Sequence, residues 1–175
     1  LVYQAQVELE SGKVVGAEAL LRWRRESGEL IPPDTFIPLA EQTGAIIKIG
    51  EWVLESACQQ LRDWLDVGWK DFRLAVNLSA VQLLHPGLTP AIERIMATYR
   101  VPPDSLELEV TETSLMQDVE TAGKQLLALR QLGITIAIDD FGTGHSSLAY
   151  LKRLPLDKIK IDRSFVQDMH SNNDD

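Results

Sequence analysis

The sequence predicts an α/β fold in which a mostly parallel sheet opens with a β-hairpin. Short apolar runs alternate with helix-like segments along the chain, which is the pattern of βα units. A Ser-Gly-Lys turn at 11–13 separates the first two strand-like segments. No linker or internal repeat divides the 175 residues, so we expect one domain.

About six strands are predicted where a closed (β/α)₈ barrel needs eight. The pattern alone leaves two alternatives, an open sheet and a barrel without its last part.

Six segments are predicted to be strands. Each is rich in aliphatic or β-branched residues and is bounded by turn residues. In chain order they cover residues 1–10, 14–23, 71–79, 105–112, 134–140 and 157–162.

The helices predicted between these strands carry end signals. Asp34 is the expected N-cap of a short helix that Gly44 follows, and Thr89 with Pro90 is expected to begin another. Further helices are predicted over 118–133, over 146–154 and from about Arg163. A helix over 51–66 would place on one apolar face Leu54, Ala57, Cys58, Leu61, Trp64 and Leu65.

Charge and cysteine content exclude several classes of protein. A net charge of −9 argues against a surface for nucleic-acid polymers, and an anionic substrate would need a local basic group or a metal. The single cysteine, Cys58, excludes an internal disulfide and fits a reducing compartment. No stretch approaches the roughly 18–20 apolar residues of a membrane span. We expect a cytoplasmic protein or the cytoplasmic part of a membrane-anchored one.

Polar side chains stand at the ends of the predicted strands. Because the carboxyl ends of parallel strands converge on the ligand site, we expect four of them to point into one pocket. Three carboxylates and one amide suit a hard divalent ion, and the acid that follows Asp139 leaves room for a second ion. Solvated rim residues and helix caps remain the alternative interpretation. The four are Glu18, Asn77, Glu109 and Asp139.

Five ordered motifs make the chain similar to the EAL domain family of cyclic di-GMP phosphodiesterases. "AEALLRW" at 17–23 contains the triplet that names the family. "IPPDTFIPLAEQTG", "VNLSAVQL", "LELEVTET" and "IDDFGTGHSSLAYLKRLPLDKIKIDRSFV" follow in the family's order and spacing. The resemblance implies a TIM-like (β/α) barrel of EAL type. It also implies hydrolysis of cyclic di-GMP to linear pGpG in bacterial second-messenger signalling, with Mg²⁺ or Mn²⁺ as cofactor and two ions in the complete enzyme.

The resemblance also implies roles for individual residues. Lys160, Asp140 and Glu18 are the implied catalytic residues, with Lys160 contacting the attacking water or the phosphate. The implied substrate contacts are Gln4, Leu20 and Arg22. The implied metal ligands are Glu18, Asn77, Glu109, Asp139 and Asp140.

A loop after the fifth predicted strand is implied to be regulatory. Glu112 is expected to hold this loop, which runs from Asp140 to Ser147 and links the metal site to a homodimer surface in the family. The loop residues concerned are Phe141, Gly142, Thr143 and Gly144. His145 stands where the family usually has an aromatic residue, and we expect it to pack in the loop.

The resemblance implies that more chain belongs to the same domain. Family members continue with about two more strands that carry a glutamate and a glutamine of the site. We therefore expect residues 1–175 to be the N-terminal two-thirds of an EAL domain, with six of eight barrel strands and with weak or no turnover by themselves. Sensory or diguanylate-cyclase-like domains are expected in the parent protein.

Two other functions remain open at this stage. A catalytically inactive cyclic di-GMP receptor of the same fold would bind nucleotide without metal, and a structural module would bind neither. The phosphodiesterase is favoured because every expected ligand position within the sequence is filled.

Overall fold

The computed structural model describes residues 1–142, 154–162 and 164–165 of the chain. The strands are β1 Val2–Val7, β2 Val14–Leu20, β3 Trp23–Arg24, β4 Leu30–Ile31, β5 Arg73–Leu78, β6 Leu106–Thr111, β7 Thr135–Phe141 and β8 Lys158–Ile161. The helices are α1 Pro33–Gln42, α2 Ala45–Asp66, α3 Ala80–Leu83, α4 Leu88–Tyr99, α5 Glu112–Met116 and α6 Val119–Gln131. A 3₁₀ turn spans Pro103–Ser105.

Six of these strands form one curved sheet. Its order is β1-β2-β5-β6-β7-β8, with β1 antiparallel to β2 and every other neighbouring pair parallel. The sheet curls into a half-barrel with flanking helices. The predicted α/β fold, its opening hairpin and its six strands are therefore confirmed.

The pairing register separates apolar and polar side chains onto opposite faces of the sheet. The convex face packs against the helices and forms the core, with Ala17, Ala19, Leu74, Val76, Leu78, Leu106, Leu108, Val110, Ile136 and Ile138. Alternate positions along the strands face the concave side, because successive side chains of a strand point in opposite directions. That side carries Glu18, Ala75, Asn77, Glu107, Glu109, Ala137, Asp139, Lys158 and Lys160.

Helix α2 covers the convex face as its apolar pattern predicts. Leu54, Ala57, Cys58 and Leu61 are buried, and Trp64 packs against the same core.

Within the residues that the structure describes, no helix combines the length and the apolar character that a membrane crossing requires.

Two predicted helix caps are wrong. Pro32 precedes α1, and Asp34 lies inside its first turn, because the prolines at 32 and 33 already set the backbone that starts a helix. Helix α4 begins one residue before Thr89, after Gly87. The Thr89 hydroxyl donates instead to Gln125 Oε1 at 2.8 Å.

The second predicted strand is shorter than expected. Strand β2 ends at Leu20, and β3 turns away to pair with β4 in a separate two-stranded ribbon. The helix predicted over 146–154 lies outside the described residues apart from Leu154. Of the helix predicted from Arg163, the structure describes Ser164 and Phe165, which are helical.

We predict that Cys58 is unreactive while the protein is folded. Its side chain is buried in the core, and burial raises the pKa of the thiol to about 12, against about 8.5 for an exposed thiol. At pH 8 a thiol-specific reagent should label the chain slowly in native buffer and at once in denaturant. Rapid labelling of the native chain would contradict the packing of α2.

The raised pKa of Cys58 also predicts how the stability of the protein changes with pH. The folded thiol holds its proton more tightly than the unfolded one. Its contribution to stability is therefore complete below about pH 8.5 and is lost as the pH rises toward the folded pKa of about 12. Urea unfolding of wild type and of Cys58→Ala between pH 8 and 10 measures this loss of stability. The variant has no thiol, so its free energy of unfolding should fall less as the pH rises.

Candidate functional site

Four parallel strands bring polar side chains together at their carboxyl ends. Asn77 on β5 lies opposite Glu109 on β6, and Thr111 lies opposite Asp139 on β7. Glu18 on β2 shares the concave face with them. We call Glu18, Glu109 and Asp139 the carboxylate cluster, since one oxygen of each lies within 4.8 Å of the others.

Lys160 on β8 lies at the centre of the carboxylate cluster. Its Nζ donates to Glu109 Oε2 at 2.6 Å, to Asp139 Oδ2 at 3.2 Å and to Glu18 Oε2 at 3.3 Å. One ammonium group therefore serves three carboxylates, which leaves the cluster with excess negative charge.

The remaining carboxylate oxygens differ in their partners. Asn77 Nδ2 donates to Glu18 Oε1 at 2.7 Å. Glu109 is fully buried, and its Oε1 has no hydrogen-bond partner among the described residues. A buried oxygen without a partner is costly, so this atom is suited to a ligand such as a cation.

Burial and charge shift the pKa values of the cluster. Burial raises the pKa of Glu109 to about 7, and the neighbouring Glu18 and Asp139 act in the same direction while Lys160 opposes them. Burial alone would lower the pKa of Lys160, but the three carboxylates outweigh it and hold that pKa above its usual value. A divalent cation would relieve the repulsion that raises the pKa of Glu109.

A bulge allows two consecutive acids to serve the same end of the sheet. The register between β7 and β8 shifts between Ile138 and Phe141, and Asp140 adopts a left-handed backbone with φ 52°. Its N–H donates to Asp139 Oδ1 at 3.0 Å. Asp139 then faces the cluster, while Asp140 lines a neighbouring cleft. Burial, followed by the charges of Asp139 and Asp162, raises the pKa of Asp140.

The cleft next to the cluster has a volume of about 540 Å³ and contains two of the three expected substrate contacts. Leu20 and Arg22 line it together with Asn77 and Asp140. The Arg22 Nη1 donates to the Leu21 carbonyl at 2.8 Å. Gln4, the third, is exposed and pairs with Glu18 in the first hairpin, so it lies on the concave face but not in this cleft.

The start of the predicted regulatory loop contacts Glu112. This side chain is buried, and its Oε2 accepts the N–H of Gly142 at 3.3 Å. Gly142 has φ 97°, and a Cβ there would lie 2.6 Å from the Phe165 ring. Phe141 is the last residue of β7 and lies opposite Ile161. Thr143 and Gly144 lie outside the described residues.

A second ionic layer lies below the carboxylate cluster and was missed by the sequence reasoning. Glu107 is buried, and its Oε2 accepts a hydrogen bond from Lys158 Nζ at 2.6 Å, with Arg73 Nη1 at 3.9 Å. The signal was present in the sequence. Glu107 precedes Glu109 by two positions, and Lys158 precedes Lys160 by two, which is the period of one strand face.

The arrangement can hold a divalent cation at the carboxyl end of the sheet. Its donors are carboxylate oxygens, and one of them is buried without a hydrogen-bond partner in the described part of the chain. The residues present therefore fit a hard ion such as Mg²⁺ or Mn²⁺. An open cleft carrying Arg22 adjoins them. The geometry therefore places an acidic cluster that could hold a metal beside a cleft that carries a cationic side chain.

Comparison with known proteins gives consistent matches. The sequence profile of the EAL domain family matches residues 1–175. The bifunctional diguanylate cyclase/cyclic di-GMP phosphodiesterase MucR of Pseudomonas aeruginosa is 48% identical over 175 residues, which are 100% of this chain and 26% of that protein. The cyclic di-GMP phosphodiesterase NbdA of the same organism is 44% identical over 169 residues, which are 97% of this chain and 22% of that protein. The chain thus spans about a quarter of the length of these relatives.

A solved structure matches the fold as well as the sequence. The PaMucR phosphodiesterase in complex with c-di-GMP superimposes with a TM-score of 0.92 at 48% identity, over 98% of this chain and 70% of that chain. The expectation of an incomplete TIM-like barrel of EAL type is therefore confirmed.

We predict that removing the Lys160 ammonium destabilises the metal-free protein. Loss of one partner of a buried ion pair costs roughly 3–5 kcal/mol. The Lys160 side chain is 29% exposed, so for Lys160→Met we expect a loss of about 2–4 kcal/mol. Urea unfolding measures it, and Mn²⁺ or Mg²⁺ should restore part of the lost stability by binding the freed carboxylates.

Lys124→Met is the matched control for that variant. Lys124 pairs with Glu120 on the exposed surface of α6 at 2.6 Å. Its loss should leave the stability nearly unchanged, because solvent screens an exposed ion pair, and the metal should have no effect. Equal losses for the two variants would contradict a special role for Lys160.

Proposed function

The chain belongs to the EAL domain family, and from this premise we propose that it supplies the metal centre and part of the substrate cleft of a phosphodiesterase. The proposed reaction is the hydrolysis of cyclic di-GMP to linear pGpG in bacterial second-messenger signalling. The observation that carries the proposal is the convergence of Glu18, Glu109 and Asp139, with Asn77 hydrogen-bonded to Glu18. Glu109 Oε1 is buried there without a hydrogen-bond partner among the described residues. Relatives whose names carry this activity support it.

The proposed cofactor is Mg²⁺ or Mn²⁺. Glu18, Asn77, Glu109 and Asp139 would hold one ion, and Asp140 would contribute to a second in the complete enzyme. Bound ions would lower the pKa of a water molecule and neutralise charge on the phosphoryl oxygens. The donor set supports this choice because it consists of three carboxylates with the Asn77 amide beside them. Among the described residues it includes neither the thiolate nor the imidazole ligands that zinc prefers.

The chain's own residues then have separate tasks. Hydrolysis adds one water across one phosphodiester bond, leaving a 5′-phosphate on one guanosine and a free 3′-hydroxyl on the other. Lys160 would place a positive charge and N–H donors beside the attacking oxygen, and its three carboxylate contacts hold the ammonium in position. Arg22 offers a planar pair of donors to a phosphate, and Leu20 offers an apolar wall to the nucleotide. We assign Gln4 to the substrate from its place opposite Glu18.

We extend the proposal to the protein that contains this chain. Residues 1–175 would be the N-terminal part of a longer EAL domain, which the 70% coverage of the PaMucR structure supports. Further sensory or diguanylate-cyclase-like domains fit the greater length of the relatives. We also propose that the protein forms a homodimer through the Asp140–Ser147 loop. We propose a cytoplasmic location for it. The Glu112–Gly142 contact would then connect the loop with the site.

We predict that Glu109→Gln abolishes hydrolysis and that Glu107→Gln does not. Both glutamates are buried on β6 and face the concave side, but Glu107 contacts Lys158 and lies outside the carboxylate cluster. The longest parent polypeptide that contains residues 1–175 should be assayed for pGpG with Mg²⁺ or Mn²⁺. We expect Glu109→Gln to lose at least about 100-fold, because it removes a charged ligand.

Two outcomes of this assay would contradict the proposal. Equal activity of both variants would remove Glu109 from the site. Nucleotide binding without turnover in the wild-type parent, unchanged by a chelator, would favour the inactive receptor. Melting temperatures of both variants should be measured alongside, so that unfolding is not mistaken for loss of a ligand.

We predict that Arg22→Ala weakens substrate binding. The arginine lines the cleft, so its loss should raise the KM for cyclic di-GMP by about tenfold or more through a lost charge-assisted contact. Arg24→Ala is the control, since Arg24 is exposed on the β3–β4 ribbon and does not line the cleft. Steady-state kinetics measures the effect, and a similar KM for the two variants would contradict the assignment.

A further inference from the structure

The turn that follows Asn77 is held by a capping box. Ser79 is the N-cap of α3, and its Oγ accepts the N–H of Gln82 at 3.3 Å. In return Gln82 Oε1 accepts the N–H of Ser79 at 3.2 Å. The backbone two residues beyond Asn77 is therefore fixed by two reciprocal hydrogen bonds.

The Gln82 side chain lies against a glycine of another helix. A Cβ at Gly50 would lie 1.9 Å from Gln82 Nε2 and 2.7 Å from its Cδ. Gly50 is buried in the second turn of α2, where its backbone is helical and has no need of a positive φ. Glycine there is less favourable for the helix than alanine. The missing side chain makes room for Gln82.

The Asn77 side chain has few contacts that hold it in place. It is exposed at the mouth of the half-barrel, and within the described part of the chain its side chain makes one hydrogen bond, to Glu18 Oε1 at 2.7 Å. Its position at the carboxylate cluster therefore depends on the direction of its own backbone. The pairing of β5 with β6 fixes that backbone from the side, and the turn that begins at Ser79 fixes the end of the strand.

We infer that Gly50, Ser79 and Gln82 form a clamp that positions Asn77 at the carboxylate cluster. We class them as positioning residues because they act on the cluster through Asn77, although all three also line the cleft. The effect of the clamp on metal binding rests on the proposed function. Its effect on the geometry of the β5–α3 turn does not.

The variant Gly50→Ala distinguishes an effect of the clamp on metal binding from an effect on the stability of the fold. By helix propensity alone, alanine should stabilise α2. Its Cβ would instead displace the flexible end of Gln82 and open the capping box. The clamp predicts a variant that folds with near wild-type stability and yet binds the metal less tightly. Gln82→Met should act in the same way, since methionine has no acceptor for the Ser79 N–H.

The test measures Mn²⁺ affinity of the metal-free parent protein by electron paramagnetic resonance. We expect Gly50→Ala and Gln82→Met to weaken Mn²⁺ binding by about tenfold, in the range found when groups behind a metal ligand are lost. Gln82→Glu should bind nearly as well as wild type, because Ser-x-x-Glu also forms a capping box. Unchanged affinity in both disrupting variants would overturn the clamp.

Asp118→Ala is the matched control. Asp118 is the N-cap of α6 and accepts the N–H of Thr121 at 3.0 Å, on an exposed surface outside the cluster. It should lose a comparable cap without any change in Mn²⁺ affinity. A similar fall in affinity for this variant would mean that the effect is one of global stability.

Hydrogen exchange by mass spectrometry distinguishes failure of the clamp from failure of the proposed function. The peptide that covers residues 74–83 should exchange faster in Gly50→Ala and Gln82→Met than in wild type or Asp118→Ala, with no metal present. If wild type binds no Mn²⁺, the proposed metal-dependent function fails and this exchange measurement decides the clamp. Unchanged exchange in the disrupting variants would overturn it.

Discussion

The electrostatic balance at the carboxyl end of the sheet is the constraint on which the rest of the structure depends. Three carboxylates meet there with one ammonium, and the innermost of them, Glu109, is fully buried. Such a concentration of charge is costly unless it is paired or bound to a cation. The helices, the bulge and the turns around the site hold these charged groups close to one another. One oxygen of Glu109 has no hydrogen-bond partner among the residues that the structure describes, which makes the same site suited to a divalent ion.

The sheet reconciles this polar site with a stable core by using its two faces differently. On the convex face, aliphatic side chains such as Leu108 and Ile136 pack under the helices. On the concave face, two charged layers stack, one around Lys160 and one around Lys158. Ala75 and Ala137 are buried on that face beside these layers and leave room for them. Rigid strands thus hold charged groups that would repel one another on a flexible loop.

Several parts of this arrangement could be predicted from the sequence and others could not. The strand-helix alternation and the opening hairpin were predicted, because hydrophobic periodicity and turn residues are local signals. Asp34 and Thr89 were wrongly predicted as caps, because a capping residue type does not show where the helix begins when prolines or a neighbouring side chain such as Gln125 intervene. The pairing of Glu107 with Lys158 was missed, because it joins residues 51 positions apart.

By itself the sequence determined which side chains end the strands, and therefore that acids and one lysine would gather at one edge of a parallel sheet. It also determined the family, through motifs whose order is a property of the chain alone. Only the tertiary structure decided that Lys160 lies among the three carboxylates, that a bulge turns Asp139 and Asp140 to different parts of the site, and that Gly50 leaves space for Gln82. These features depend on strand register and on contacts between distant segments. Periodicity shows which face a residue occupies but not what lies opposite it.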